Sequence, residues 1–256
     1  MKPFEELVAE AESADVDGWG FGWLDGRATE ERPPWGYARS LTQRLAQVDS
    51  ALDLDTGGGE VLAEAAVFPS RMFATEAWRP NLERARRRLG PRGVRLTGAQ
   101  TSRLPFAADS FELVSARHPV RPYWGEIHRV LRPGGLYFAQ HVGPGSAFEL
   151  IEFFLGPLPK ERRAREPEDE TAAAHSSGLA VERLESARCR MEFFDIGAVV
   201  WILRKCVWWV PGFSVAAYEG KLRELDARMR AGNPFVAHST RHVIAARKPL
   251  RSETSA

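Results

Sequence analysis

The chain has 256 residues, 44% of them hydrophobic, and 35 basic side chains stand against 34 acidic ones. That is enough apolar material for one sizeable α/β domain with a lid or cap, while a net charge of +1 gives no global field to draw nucleic acid or an anionic membrane. Cys189 and Cys206 are the two cysteines; they lack ligand-pair spacing, which argues against a disulfide framework or a structural metal.

Met1–Glu12 is acidic and helix-like rather than a signal peptide. In residues 13–36 glycines alternate with Trp19, Phe21, Trp23 and Trp35, and Pro33-Pro34 breaks any helix. Aromatics at this density must bury against something, so residues 1–36 are read as an N-terminal lid. From Arg39, Leu41, Leu45 and Val48 share one helical face. Strand and helix signals then alternate. SALDLD (50–55) reads as a strand, EVLAEAAV (60–67) as a helix and RMFATE (71–76) as a strand; PNLERARRRL (80–89) is a helix with Pro80 in its first turn. GVRLTGA (93–99) and SFELVSA (110–116) are predicted strands, YWGEIHRVL (123–131) a helix and GLYFAQ (135–140) a strand. Such alternation predicts a doubly wound, mostly parallel sheet covered on both faces.

Beyond residue 144 the pattern loosens. SAFELIEFFLG (146–156) is an apolar helix, and PKERRAREPEDET (159–171) is a charge run expected in a solvated loop or helix start. A long strand is predicted over 179–194 and a buried helix over 195–205, whose apolar run 196–203 is too short to span a bilayer. Residues 214–230 put Val215, Tyr218, Leu222, Leu225 and Met229 on one face, and 235–248 is expected to close the sheet as an antiparallel last strand. The expectation is one domain over 1–256 in the cytoplasm. It has a lid at 1–36, a core at 37–143, a part at 144–250 completing the sheet and the acceptor pocket, and a disordered tail at 251–256.

The stretch ALDLDTGGGEVL (51–62) is a strand leading into a glycine turn. Lacking Cβ, such a turn lets backbone approach a ligand, and Glu76, about twenty positions on, suits ribose hydroxyls. These features serve NAD and S-adenosylmethionine equally. The segments RLPFAADSFELVSARH (103–118) and EIHRVLRPGGLYFAQH (126–141) separate the two. Together with the acid-glycine turn they resemble the class I S-adenosylmethionine-dependent methyltransferases, in particular the small-molecule subgroup, over roughly residues 37–143.

The resemblance implies a Rossmann-like sheet of about seven strands with S-adenosylmethionine as cofactor. It assigns Asp53 to the cofactor's ammonium, Gly57 and Gly59 to the amino-acid portion, and Glu76 to the ribose. Trp78 either lies against the adenine or starts a helix, and Gln100 with Thr101 replaces the usual adenine-facing acid. Asp55 stands in the place of the first motif glycine; it either adds a carboxylate to the cofactor site or turns away as a helix cap. Acceptors in this family sit over the ends of the next two core strands. His118 is therefore the first candidate base and His141 the second, with Arg117, Tyr123, Trp19, Phe21, Trp23 and Trp35 as acceptor contacts. The implied reaction is methyl transfer to a small, aromatic or apolar acceptor. Two alternatives stay open: an RNA methyltransferase, favoured by RARRR (84–88), or a non-catalytic binding protein, favoured by Asp55.

Overall fold

SALDL is apolar at all but two positions, and all five of its residues are buried: this is an interior strand of the sheet. The computed structural model describes residues 2–250; the tail expected at 251–256 lies outside them. Among the described residues the strands are β1 (Ala28–Glu30), β2 (Ser50–Leu54), β3 (Arg71–Thr75), β4 (Arg95–Thr97), β5 (Phe111–Arg117), β6 (Leu131–Val142), β7 (Ala180–Phe193) and β8 (Phe235–Arg247). Their order in the sheet is β1-β7-β8-β6-β5-β2-β3-β4. The helices are α1 (Phe4–Ser13), α2 (Tyr37–Leu45), α3 (Arg79–Leu89), α4 (Trp124–Val130), α5 (Phe148–Leu155), α6 (Pro159–Arg162), α7 (Pro167–Ser176), α8 (Ile196–Lys205) and α9 (Val215–Arg230).

The chain divides into two compact units. One holds residues 34–143, 165–187 and those from Arg241 onward. Within it β2 pairs in parallel with β3 and β5, β3 with β4, and β5 with β6, while β8 runs antiparallel to β6. The expected parallel core with an antiparallel closing strand is thus present. Side chains from the two faces of this sheet enter two cores. Tyr37, Leu41 and Leu45 of α2 and Ala85 and Leu89 of α3 pack in one; Trp124, Ile127 and Val130 of α4 and Ala174 of α7 pack in the other. In the PGG turn that opens β6, a Cβ on Gly135 would meet the carbonyls of Arg132 at 2.8 Å and Phe111 at 2.9 Å. Glycine there lets β6 lie directly against the start of β5.

The other unit holds residues up to Pro33, 144–164 and 188–240. Its core joins Phe4, Leu7, Val8 and Ala11 of α1, Leu150, Ile151 and Phe154 of α5, nearly all of α8, and Leu222, Leu225 and Met229 of α9. The aromatic N-terminal segment lies here. Trp23 stacks on Trp201 of α8 with centroids 5.6 Å apart, Phe21 meets the same ring edge-on at 6.1 Å, and Trp19 lies 5.9 Å from Trp208. Residues 28–30 add an edge strand, β1, antiparallel to β7, so the sheet has eight strands rather than about seven.

Two local expectations are corrected. The helix predicted at 60–67 is a single 3-10 turn at Leu62–Glu64. Pro69 disfavours helical φ/ψ at Phe68, so a helix here must end before β3 begins. Arginines take up the carbonyls thereby released: Arg92 donates to the Ala63 oxygen at 2.7 Å and to those of Ala65 and Ala66, and Arg88 donates to the Gly58 oxygen. The strand predicted at 93–99 shrinks to Arg95–Thr97, since the glycines at 93 and 98 flank it and Gly93 has φ +86°.

Candidate functional site

The predicted cofactor residues gather at the carboxyl ends of β2 and β3. Asp53 is buried and accepts the Ser115 hydroxyl of β5 at 2.6 Å. Burial raises its pKa to about 6, against the opposing hydrogen bond from Ser115. Glu76 directly follows β3 and is also buried. Its Oε2 accepts the Gly57 N–H at 2.9 Å and its Oε1 accepts the Trp78 N–H at 2.7 Å, so one carboxylate ties the glycine turn to the start of α3. Burial raises its pKa too, opposed by those two backbone bonds.

The turn has an unusual backbone. Asp55, Gly57 and Gly59 have φ of +50°, +63° and +77°. Asp55 is therefore left-handed, a region Asp tolerates better than most residues, and not strand-like. It does not cap a helix; it accepts the Thr101 hydroxyl at 2.8 Å. Burial raises its pKa, and the Thr101 bond counters this. Gly59 is needed for packing: a Cβ there would lie 2.6 Å from Leu89 Cδ1 of α3. Thr101 is thus drawn into the site through Asp55, while Gln100 beside it is exposed. Trp78 is 52% exposed at the start of α3. The hydroxyl of Thr75, at the end of β3, is buried with no hydrogen-bond partner among the described residues. A site with two buried carboxylates and an unsatisfied buried hydroxyl fits a polar, cationic ligand.

The candidate acceptor residues lie at the ends of β5 and β6, where Arg117 and Gln140 are register partners. The Trp35 indole N–H donates to Gln140 Oε1 at 2.7 Å, and Gln140 Nε2 lies 2.9 Å from His118 Nε2. An indole only donates and an amide nitrogen only donates. Nε2 of His118 is therefore the acceptor, and its proton sits on Nδ1. His118 has φ +56° and gives its own N–H to the Gln140 carbonyl at 2.7 Å. Burial, then the charges of Arg117, Arg241 and Arg165, hold its pKa well below 6.5, so it is neutral at neutral pH. Tyr123 stands at the start of α4 under Arg121, 5.5 Å from the guanidinium.

His141 has different surroundings. Its Nδ1 lies 2.5 Å from Glu170 of α7, and its Nε2 takes the Tyr137 hydroxyl at 2.9 Å. His242 of β8 reaches the same Glu170 oxygen at 2.8 Å. Burial opposes ionisation of Glu170, but the bonds from His141 and His242 outweigh it and hold the pKa at about 2. Burial also lowers the pKa of His141. Sequence reasoning does not single out Ser115, Tyr137, Glu170 or His242. Glu170 sits inside a charge run, and nothing in the spacing 141, 170, 242 announces a contact. Trp19, Phe21 and Trp23 belong to the other unit.

Residues 52–139 match the model of a methyltransferase domain. By that match, this part of the chain resembles a methyltransferase domain. Solved methyltransferases that hold S-adenosylmethionine bound resemble the chain in fold, at 17% identity and TM-scores of 0.51 and 0.53. The chain is 32% identical over 136 residues to a demethylmenaquinone methyltransferase of Clavibacter sepedonicus, covering 50% of this chain and 51% of that one. It is 28% identical over 145 residues to a ubiquinone/menaquinone biosynthesis C-methyltransferase of Desulfotalea psychrophila, covering 51% and 58%. The matched part thus spans little more than half the length of either relative. In fold, the methyltransferase-like chain resembles the YcgJ protein of Bacillus subtilis, with a TM-score of 0.60 at 18% identity, covering 83% of this chain and 98% of that one. No helix among the described residues is long and apolar enough to cross a membrane.

Proposed function

We propose that this chain transfers the methyl group of S-adenosylmethionine to a small apolar acceptor with a hydroxylated aromatic ring, the chemistry shared by quinone precursors. The observation that carries the reading is Glu76, a buried carboxylate bonded to the Gly57 N–H, with buried Asp53 one strand away. The names of the two relatives favour the ring acceptor. The sulfonium supplies an already activated methyl group, so the protein has to align, exclude water and manage one proton. Asp53 holds the cofactor's ammonium and Glu76 its ribose hydroxyls, with Asp55 and Thr101 completing that wall.

On the acceptor side His118 takes the ring hydroxyl's proton, which raises the nucleophilicity of the ring. Its Nε2 is held by Gln140, so the amide must turn aside before the imidazole can act. Arg117 beside it steadies the resulting phenolate. The RNA alternative loses ground because Arg88 and Arg92, next to the basic run, are bonded to backbone carbonyls of the glycine-turn segment.

Transfer of a labelled methyl group to a panel of hydroxylated naphthalenes and benzenes tests the reading. Label is expected in at least one ring compound. Label in RNA alone would overturn the acceptor class, and cofactor binding with no transfer to any panel member would favour the non-catalytic alternative.

A further inference from the structure

Glu170 has no arginine or lysine paired with it among the described residues; its partners are two imidazoles. His141 and His242 are register partners across the antiparallel β6–β8 pair, with ring centroids 5.2 Å apart. From α7, Glu170 presents one oxygen to both, 2.5 Å from His141 Nδ1 and 2.8 Å from His242 Nε2. The three ligating atoms lie within 4.8 Å of one another. The side chains of His141, His242 and Glu170 are 2%, 0% and 13% exposed.

Two imidazole nitrogens and one carboxylate oxygen from three separate elements form the donor set that borderline divalent ions choose. Hydrogen bonds alone leave this arrangement incomplete. Glu170 is a carboxylate placed in the interior with two imidazoles and, among the described residues, no permanent cation beside it. Tyr137 completes the resemblance to a metal centre. Its hydroxyl meets the second nitrogen of His141, the outer partner that fixes the ring of a ligating histidine.

We propose that His141, Glu170 and His242 bind one first-row divalent cation, zinc by preference, which fastens α7 to the β6–β8 pair. Binding requires a tautomer switch in each ring. The proton leaves His141 Nδ1 for Nε2, where it faces the Tyr137 oxygen, and leaves His242 Nε2 for Nδ1. No group is oxidised. The ion has no assigned part in methyl transfer, and the test reads the metal alone.

The untagged 256-residue chain, stripped with a chelator and dialysed, is titrated with zinc by calorimetry and with cobalt by absorption. One equivalent of zinc is expected to bind and to raise the melting temperature. The cobalt spectrum is expected to show nitrogen and oxygen ligands with no sulfur charge-transfer band. Glu170→Gln and His242→Gln should each weaken zinc by more than the roughly 10–100-fold lost with an outer partner. Binding of less than one equivalent, unchanged affinity in Glu170→Gln, or a sulfur band from Cys189 or Cys206 would overturn the proposal. If the variants do not fold, the wild-type melting shift and cobalt spectrum decide it unaided.

Discussion

The two ends of the core sheet are built in opposite ways. At β2 and β3 the polar groups are carboxylates, Asp53, Asp55 and Glu76, and they lie within 24 residues of chain around a glycine turn. At β5, β6 and β8 they are imidazoles, His118, His141 and His242, brought together from across 125 residues. The first end keeps acceptor oxygens in a buried wall, suited to a ligand with ammonium and hydroxyl groups. The second keeps imidazoles whose nitrogens are held by Gln140, Tyr137 and Glu170. Acid carboxylates attract and orient a charged donor molecule; a neutral imidazole exchanges a proton. On the proposed function, the first end holds the cofactor and His118 at the second handles the acceptor.

The largest expected effect falls on the imidazole end. His118→Asn should lower turnover on an identified acceptor by roughly 10²–10⁴-fold, the usual contribution of a positioned base, with little change in S-adenosylhomocysteine affinity. A parallel loss of cofactor affinity would blur the division and make His118 a structural residue of the β5 end.

Next comes Glu170→Ala, with a stability loss of about 2–3 kcal/mol at neutral pH, from a carboxylate bonded twice and shifted from 4.5 to about 2. The folded value lies below the unfolded one. The stabilisation is therefore fully present above pH 4.5 and is lost as pH falls toward 2. Urea unfolding across that range checks it, and a wild-type minus variant difference that stays constant down to pH 2 would show that Glu170 contributes through packing only.

Asp53 works in the other direction. Its folded pKa of about 6 exceeds the ordinary 3.8, so its ionised form disfavours folding once the pH rises above 3.8, and in full above about 6. S-adenosylhomocysteine should bind about tenfold more tightly at pH 7 than at pH 5, following the ionised fraction, and Asp53→Asn should flatten that dependence while raising the melting temperature at neutral pH. A flat profile in the natural protein would separate Asp53 from the ammonium.

Asp55→Gly is the smallest. Glycine relieves a left-handed aspartate and loses the Thr101 bond, so affinity should change by less than about tenfold, or 1.4 kcal/mol. Binding that appears only in the glycine variant would make the natural site degenerate.

The carboxylate end was legible because strand, turn and next strand are contiguous, which places Asp53, Gly57 and Glu76 near one another. Even there the helix after the turn was misread: the helical pattern at 60–67 is real, but the chain makes only the 3-10 turn at Leu62–Glu64, and Pro69 bars a helix from running on to β3. The imidazole end was half legible. Its strands β5 and β6 were found, and His118 was placed at a strand end. Its partners depended on tertiary pairing that no local pattern encodes: Gln140 caught between Trp35 and His118, and Glu170 lowered by α7 onto two histidines. The lid segment followed the same rule. Its aromatic density predicts burial, yet Trp19 and Phe21 stay 45% and 42% exposed, although Phe21 and Trp23 pack on Trp201.

The central claim is that the Glu76 carboxylate, tied to the glycine turn, holds the cofactor. Calorimetric titration of S-adenosylhomocysteine into the natural chain and into Glu76→Ala tests it most directly. One equivalent should bind to the natural chain, and the variant should lose roughly 1–3 kcal/mol of affinity, the cost of leaving buried polar partners unmet. Equal affinity in the two proteins, or no binding to the natural chain, would contradict the account.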